Sequence, residues 1–409
     1  MRVTIDRLGQ HGDGISMTEA GPLYAPGLLP GEVADGDVVG DQLTNIRIVT
    51  PSTQRVKPPC SHAKACGGCL MQHAADGLVA SWKEDIVRGA LAGQGLTAPF
   101  LPMVTSAAQS RRRATLTGRK TKTGVLMGFH GRGSDTLIPV PNCQLLHPDL
   151  MAAFPGLEAV VKLGSTRSTE IQMTATRSLS GLDVAVTGGK ELDGALRMEL
   201  ARLAETFSFA RLTWSSETVA LRAHPQQRFG RAVVTPPPGA FMQATADGEK
   251  ALLKAVTQAV GPAKRIADLF AGCGTFALPL SERAEVHAVE AEAPMMAALE
   301  KGYRATEGLK RLTVEARDLF RRPLEPDELK SFDAVVIDPP RAGAEAQTRR
   351  LAIAKVPVIA AVSCNPITFA RDAKTLVDAG YGIEWIQVVD QFRWSSHVEL
   401  AACFVLRSA

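Results

Sequence analysis

Cys364 stands in the run Val362-Ser363-Cys364-Asn365-Pro366, downstream of Asp338-Pro339-Pro340-Arg341 and of a glycine-containing segment, Asp268-Leu269-Phe270-Ala271-Gly272-Cys273-Gly274-Thr275-Phe276. A thiolate is a strong nucleophile, and a cysteine set among Ser, Asn and Pro reads as part of a polar, rigid turn rather than of an apolar core. Glu399, in Ser395-Ser396-His397-Val398-Glu399, lies between Trp394 and the apolar run Leu400 to Leu406. A carboxylate shielded in this way can act as a general base. Taken singly, each has a plainer explanation, a core thiol or a surface acid. Their placement makes them candidates: Cys364 follows the strand-like run Val358 to Val362 and would sit beside the Asp338 turn over one sheet edge.

The glycine-containing segment follows a strand-like run and opens a helix-like one, and Gly272 and Gly274 let the backbone turn tightly against a ligand. Glu290 ends the next strand-like run, where a carboxylate can accept hydrogen bonds from both ribose hydroxyls of an adenosine. The segment lacks the third glycine of a dinucleotide loop and the Lys-Ser/Thr of a P-loop, so S-adenosylmethionine fits it better than NAD or ATP. Asp318, beyond the run Leu312 to Glu315, is placed to meet the adenine end. Asp338-Pro339-Pro340 ends the run Ala334 to Ile337, at the carboxyl edge where ligands of such sheets bind, and its prolines stiffen the backbone. Arg341 follows the prolines, where adenine-N6 methyltransferases carry an aromatic and many cytosine-5 enzymes a cysteine, so neither target fits.

Cys60, Cys66 and Cys69, with Gly67 and Gly68, put three thiols on one compact loop, and Cys143 in Pro141-Asn142-Cys143 could complete four. Four thiolates suit zinc or an iron-sulfur cluster. The seven cysteines are an odd number and unevenly placed, which in a reducing compartment favours metal or catalytic roles over disulfides. Cys273 and Cys403 read as core packing.

Elements must be found to hold these groups. With 409 residues, 45% of them hydrophobic, the chain has material for two or three domains. Residues 1–52 mix short β-like runs (Arg2 to Ile5, Glu32 to Val39, Asn45 to Val49) with Gly and Pro turns, as in a small OB-like β-barrel. Pro51 and Lys57-Pro58-Pro59 suggest a linker, and Leu78 to Ala92 has helical periodicity. Residues 53–235 read as a central α+β domain carrying the cysteine cluster, with strands such as Arg113 to Thr117, Gly124 to Phe129 and Leu182 to Thr187 and a helix over Glu191 to Thr206. Residues 236–409 alternate strands (Arg265 to Phe270, Glu285 to Val289, Leu312 to Glu315, Ala334 to Ile337, Val358 to Val362) with helices. That pattern implies a parallel, doubly wound Rossmann-like sheet, so the fold class expected is α/β.

The net charge of +4 is modest. Between Asp85 and Asp135, however, there is no acidic residue, while Arg88, Arg111, Arg112, Arg113, Arg119, Lys120, Lys122 and Arg132 all fall there. Such a stretch suits phosphate neutralisation or an ordinary solvated surface. No apolar run is long enough to span a membrane, and the N-terminus lacks the apolar core of a signal peptide, so a cytoplasmic location is expected.

The set Phe241-Met242-Gln243, Asp268 to Phe276, Asp338 to Arg341, Ser363 to Pro366 and His397-Val398-Glu399 resembles RNA uracil-5 methyltransferases, and residues 1–52 are similar to that family's RNA-binding TRAM domain. The resemblance implies a class I methyltransferase domain over residues 236–409, S-adenosylmethionine as methyl donor and RNA as partner. It assigns Cys364 as nucleophile and Glu399 as base. It places Gln243, Phe270, Gly272, Gly274, Glu290, Asp318 and Asp338 around the donor. The cysteine spacing is similar to the iron-sulfur loop of the family's ribosomal-RNA members. It therefore implies a [4Fe-4S] cluster on Cys60, Cys66, Cys69 and Cys143 and 23S rRNA as substrate, with tRNA, or a non-catalytic RNA-binding role, as alternatives. Four available ligands argue against radical chemistry, which needs an open iron. Two departures stand out: Thr275 where Asn is frequent, and Arg393-Trp394-Ser395-Ser396 in place of a Pro and Thr pattern.

Overall fold

The computed structural model describes residues 1–407. Near the N-terminus, six strands form one sheet in the order Arg2–Thr4, Val33–Val39, Gln42–Thr50, Gly21–Ala25, Gly14–Thr18, Arg7–Leu8. Val3, Ile5, Leu23, Leu28, Ala34 and Leu43 fill its core. The segment read as a linker is anchored to this sheet. Arg55 forms an ion pair with the buried Glu32 at 2.6 Å and also donates to the Gly27 carbonyl. Trp82, on the helix Asp76–Ala92, donates its indole N–H to Gly9 and packs with Leu29 and Met71.

A seven-stranded sheet follows, ordered Leu137–Pro139, Val125–His130, Arg113–Lys120, Ile171–Ser178, Gly181–Thr187, Arg211–Trp214, Glu217–Leu221. Two helices, Phe154–Gly164 and Gly194–Thr206, contribute Leu157, Val160, Leu200 and Leu203 to its apolar core.

The third sheet has eight strands. Leu312–Ala316, Glu285–Glu290, Arg265–Leu269, Ala334–Ile337 and Val358–Ser363 run parallel in that spatial order, and Leu400–Leu406 then joins antiparallel. Tyr381–Asp390 pairs antiparallel with Leu400–Leu406, and Phe100–Thr105 closes the far edge parallel to Tyr381–Asp390. The sequence reading put residues 100–105 with the central domain; the long-range pairing to residues 386–390 draws them into this sheet instead. The strand order reverses between Arg265–Leu269 and Ala334–Ile337, which opens a crevice over their carboxyl ends. Apolar cores cover both faces, consistent with strands that are almost uninterrupted runs of Ala, Val, Ile and Leu. Cys273 and Cys403 lie in one of these cores. Among the described residues no helix is long and apolar enough to cross a membrane.

Candidate active site

Three turns meet over the crevice. The first carries Phe270, Gly272 and Gly274. Phe270 has φ of +62°, Gly272 +56° and Gly274 +93°. At Gly272 the left-handed backbone alone calls for glycine, while a Cβ at Gly274 would also come within 2.9 Å of Leu278 and Leu299. Glu290 organises this turn: its carboxylate accepts the Gly272 N–H at 3.1 Å on one oxygen and the Ala291 and Glu292 N–H groups on the other. Asp318 is partly exposed, accepts the Phe320 N–H, and lies where Phe320 packs against Phe270 with ring centroids 5.4 Å apart. Beneath them Asp268 is fully buried and neither of its carboxylate oxygens has a hydrogen-bond partner; the Ala277 N–H approaches without reaching hydrogen-bond geometry. Burial, with Asp338 and Glu290 nearby, drives its carboxyl well above the usual range.

The second and third turns are joined to each other. Asn365 caps the helix Pro366–Asp378 by accepting the Ile367 N–H, and its Nδ2 donates to the Arg341 carbonyl at 2.8 Å. The Thr368 hydroxyl donates to the same carbonyl. The cysteine turn and the Asp338-Pro339-Pro340-Arg341 turn are thereby held side by side. Strand register brings in Glu399: Ser363 is the Cα partner of Leu400, so Cys364 and Glu399 are the next residues along the two antiparallel strands. Glu399 is 3% exposed.

The electrostatics follow from this crowding. Burial, and then Asp338, hold the Glu399 carboxyl above the ordinary carboxylate range; burial does the same to Asp338. The Cys364 thiol is pushed up to about 11, first by burial and then by Glu399 and Asp338, against the opposing pull of Arg341. The RNA-free protein should therefore hold Cys364 as a thiol at neutral pH. Alkylation of Cys364 by iodoacetamide, followed by peptide mass spectrometry, should rise about tenfold per pH unit between about pH 7 and pH 9 without levelling. A plateau near the ordinary thiol value of about 8.5 would contradict this.

Gln243 lies on the opposite wall, 3% exposed, with its side-chain oxygen accepting from Gln391 at 2.5 Å. Gln391 was not expected from sequence, and neither was the ion pair beneath it. Lys83, from the helix Asp76–Ala92, contacts Asp390 at 2.6 Å with both side chains buried, and Lys83 also donates to the Phe392 carbonyl. The partners of these groups lie 148 and 307 residues away, so no local pattern marks them. A buried pair adds little net stability when intact, but removing one partner leaves an unpaired buried charge. Lys83→Met should cost about 3–5 kcal/mol in urea unfolding, and Lys83→Met with Asp390→Leu should recover most of it. Equal stability of parent and single variant would show that the pair is not formed.

The loop from Phe392 to Val398, which leads to Glu399, is held by the cysteine region. Trp394 has φ of +62°, and its carbonyl accepts the Leu70 and Met71 N–H groups at 2.7 and 2.9 Å. Its indole packs with Cys69, Cys143 and Leu145. Cys60, Cys66, Cys69 and Cys143 are all free thiols and line one cavity of about 340 Å³, together with Arg111 and Arg113. The Gly68 and Leu145 N–H groups point at the sulfurs of Cys66 and Cys143. Gly67 is fixed by space, since a Cβ there would meet the His130 carbonyl at 2.8 Å. Burial raises the Cys66, Cys69 and Cys143 thiols, with neighbouring cysteines adding to it. Among the described residues, however, no three His, Cys, Asp or Glu side chains gather tightly enough to hold one metal ion, so the four thiols share a cavity without closing on a common point.

The basic stretch is not one solvated face. Arg112 is buried, pairs with Glu249 at 2.5 Å and donates to the Gln243 carbonyl; Arg111 and Arg113 face the cysteine cavity. Lys120 and Lys122 border a separate surface hollow with Lys162 and Arg167.

A family model described as tRNA (Uracil-5-)-methyltransferase matches residues 231–407. A protein named an uncharacterized RNA methyltransferase in Brucella suis biovar 1 is 42% identical over 401 residues, 98% of this chain and 97% of the relative. The 23S rRNA (uracil(1939)-C(5))-methyltransferase RlmD of Halomonas elongata is 30% identical over 97% of this chain and 88% of its own. Among solved structures, the Pyrococcus abyssi tRNA (uracil-54, C5)-methyltransferase in complex with S-adenosyl-L-homocysteine has the same fold, with a TM-score of 0.76 at 24% identity over 99% of both chains. With relatives matched over nearly the whole chain and the family model over its C-terminal part, the chain belongs to the RNA uracil-5 methyltransferase family.

Proposed function

We propose that the protein transfers a methyl group from S-adenosylmethionine to C5 of a uridine in cytoplasmic 23S rRNA, with Cys364 as nucleophile and Glu399 as base. The observation that carries this reading is the placement of Cys364 and Glu399 at adjacent ends of paired strands, beside Asp338 and over the crevice bordered by the Gly272 turn.

The residues fit the donor. Gly272 and Gly274 give a backbone that a ligand can approach closely, Glu290 offers carboxylate oxygens at the ribose position, and Asp318 with Phe270 borders the adenine position. Gln243 and Asp338 would complete the set of residues that hold the donor. When bound, S-adenosylmethionine supplies an electrophilic methyl group. Uracil C5 is a weak nucleophile until the Cys364 thiolate adds to C6 and shifts the ring electrons to an enolate, whose C5 then takes the methyl. Glu399 next removes the C5 proton, the C5–C6 double bond re-forms, and the Cys364 thiolate leaves. The target base must leave its stack to reach the site, which favours loops or single strands. Burial favours the protonated Cys364 thiol in the free protein, so the sulfur must lose its proton before it adds to C6.

We favour a [4Fe-4S] cluster over zinc on Cys60, Cys66, Cys69 and Cys143 because their spacing, with the Gly67-Gly68 pair, resembles the iron-sulfur loop of the family's ribosomal-RNA members, while among the described residues the four thiols line one cavity without closing on a single point. Arg111 and Arg113 supply positive charge there, and N–H groups are aimed at two sulfurs. The cluster would be structural, holding the Trp394 loop. The N-terminal sheet is read as a TRAM-like RNA-binding unit. The cysteine set and the 30% identity to a 23S rRNA enzyme favour ribosomal RNA over tRNA.

The test is to incubate anaerobically purified protein with S-adenosylmethionine and, separately, unmodified 23S rRNA and tRNA, mapping 5-methyluridine by nuclease digestion and mass spectrometry. Product in 23S rRNA alone is expected. Product in tRNA alone would overturn the substrate, and none in either would overturn the activity.

A further inference from the structure

Gln391 directly follows the strand Tyr381–Asp390 and is 1% exposed. Its side-chain oxygen accepts the Ala244 N–H at 2.8 Å; its nitrogen donates to Gln243 at 2.5 Å and to Glu399 at 3.2 Å. A backbone N–H can only donate, so Ala244 fixes which end of the amide is oxygen and leaves both amide hydrogens facing Gln243 and Glu399. Every polar capacity that matters is used. The position is also kept open for it: at Gly248, in the first turn of the helix Ala246–Val260, a Cβ would come within 2.7 Å of the Gln391 Cβ. On both sides the main chain is gripped by Lys83, through Asp390 and through the Phe392 carbonyl. A side chain so fully constrained, and touching both Gln243 and Glu399, does more than fill space.

Resting on the reading of Glu399 as base, we propose that Gln391 is a positioning residue that holds Glu399 as a carboxylate aimed at the Cys364 side of the crevice. Its donated hydrogen bond favours the charged form of a group otherwise pushed toward protonation. The charged and titratable groups around Glu399 are Asp338 and Cys364 at the neighbouring strand ends, Arg341 on the adjoining turn, Asp268 behind Asp338, His397 two residues earlier on the same loop and the Lys83–Asp390 pair beside Gln391. Among the described residues, the hydrogen bond donated to the Glu399 side chain comes from Gln391 and from none of these groups.

Gln391→Met removes donor and acceptor at equal length, and Gln391→Glu keeps an acceptor for Ala244 while replacing both amide hydrogens with a second carboxyl group beside Glu399. Rapid-quench kinetics on the full-length protein, with RNA and S-adenosylmethionine, separate formation of the protein–RNA adduct from its decay across pH. In both variants decay should slow about tenfold near neutral pH, and its pH profile should move up by about one unit, while adduct formation at saturating S-adenosylmethionine stays near the parent value. Unchanged decay in Gln391→Glu, or formation and decay reduced together with an unmoved pH profile, would overturn the proposal and leave Gln391 a packing residue. Glu399→Gln run in parallel separates the two claims. If that variant accumulates adduct and the Gln391 variants do not, only the role of Gln391 fails; if it turns over normally, the base assignment fails with it.

Discussion

Cys364→Ala should bind S-adenosylmethionine as the parent does and make no 5-methyluridine. The thiol is half-buried on a turn whose geometry is set by Asn365, Thr368 and the Arg341 carbonyl, none of which depends on the sulfur. The Gly272 turn and Glu290, which we propose hold the donor, lie on other strands. Without the thiolate, C5 of uracil has no route to enolate character, and loss of an essential nucleophile lowers turnover by about 10⁴-fold or more. Calorimetric binding and product formation measured on the same preparation decide the matter: retained binding with no product supports the role, and substantial product without the thiol excludes it.

Glu399→Gln should still attach methylated RNA to Cys364 but release it slowly. Gln has nearly the same shape as Glu and can hydrogen-bond to Gln391, so the pocket persists, yet an amide cannot accept the C5 proton. Loss of a positioned general base typically costs about 10²–10⁴-fold in the step it serves. A band of protein-linked RNA on a denaturing gel, growing with time and dependent on S-adenosylmethionine, is the expected observation. A variant that turns over at the parent rate without adduct would place the base elsewhere; Asp338, the other carboxylate beside Cys364, would be the next to test.

The placement of the candidate residues together was legible in sequence because they sit at strand ends. Asp338, Cys364 and Glu290 each close or follow a short apolar run with a polar or proline-containing turn beyond it, and in a doubly wound sheet all such ends share one edge. Glu399 was legible for the mirrored reason, preceding an apolar strand that pairs antiparallel with the one before Cys364. What could not be read was everything that arrives from far along the chain. Phe100–Thr105 pairs with a strand 285 residues away and so joins a sheet its neighbours in sequence do not share. Lys83 reads as one more charge on a helix, yet it is buried against Asp390. The run Arg111-Arg112-Arg113 looks like a surface for phosphate, but alternation on an extended segment sends Arg111 and Arg113 to the cysteine cavity and Arg112 to Glu249. Charge type is visible in sequence; whether a partner waits inside is decided by topology.

The most direct test of the covalent mechanism is RNA carrying 5-fluorouridine at the mapped site. Fluorine at C5 permits attack by the thiolate and transfer of the methyl group but leaves no proton for Glu399 to remove, so the adduct cannot resolve. After incubation with S-adenosylmethionine and digestion, mass spectrometry should find the methylated fluorouridine on the peptide containing Cys364. No adduct, or an adduct on any of the other six cysteines, would contradict the assignment of Cys364 as nucleophile.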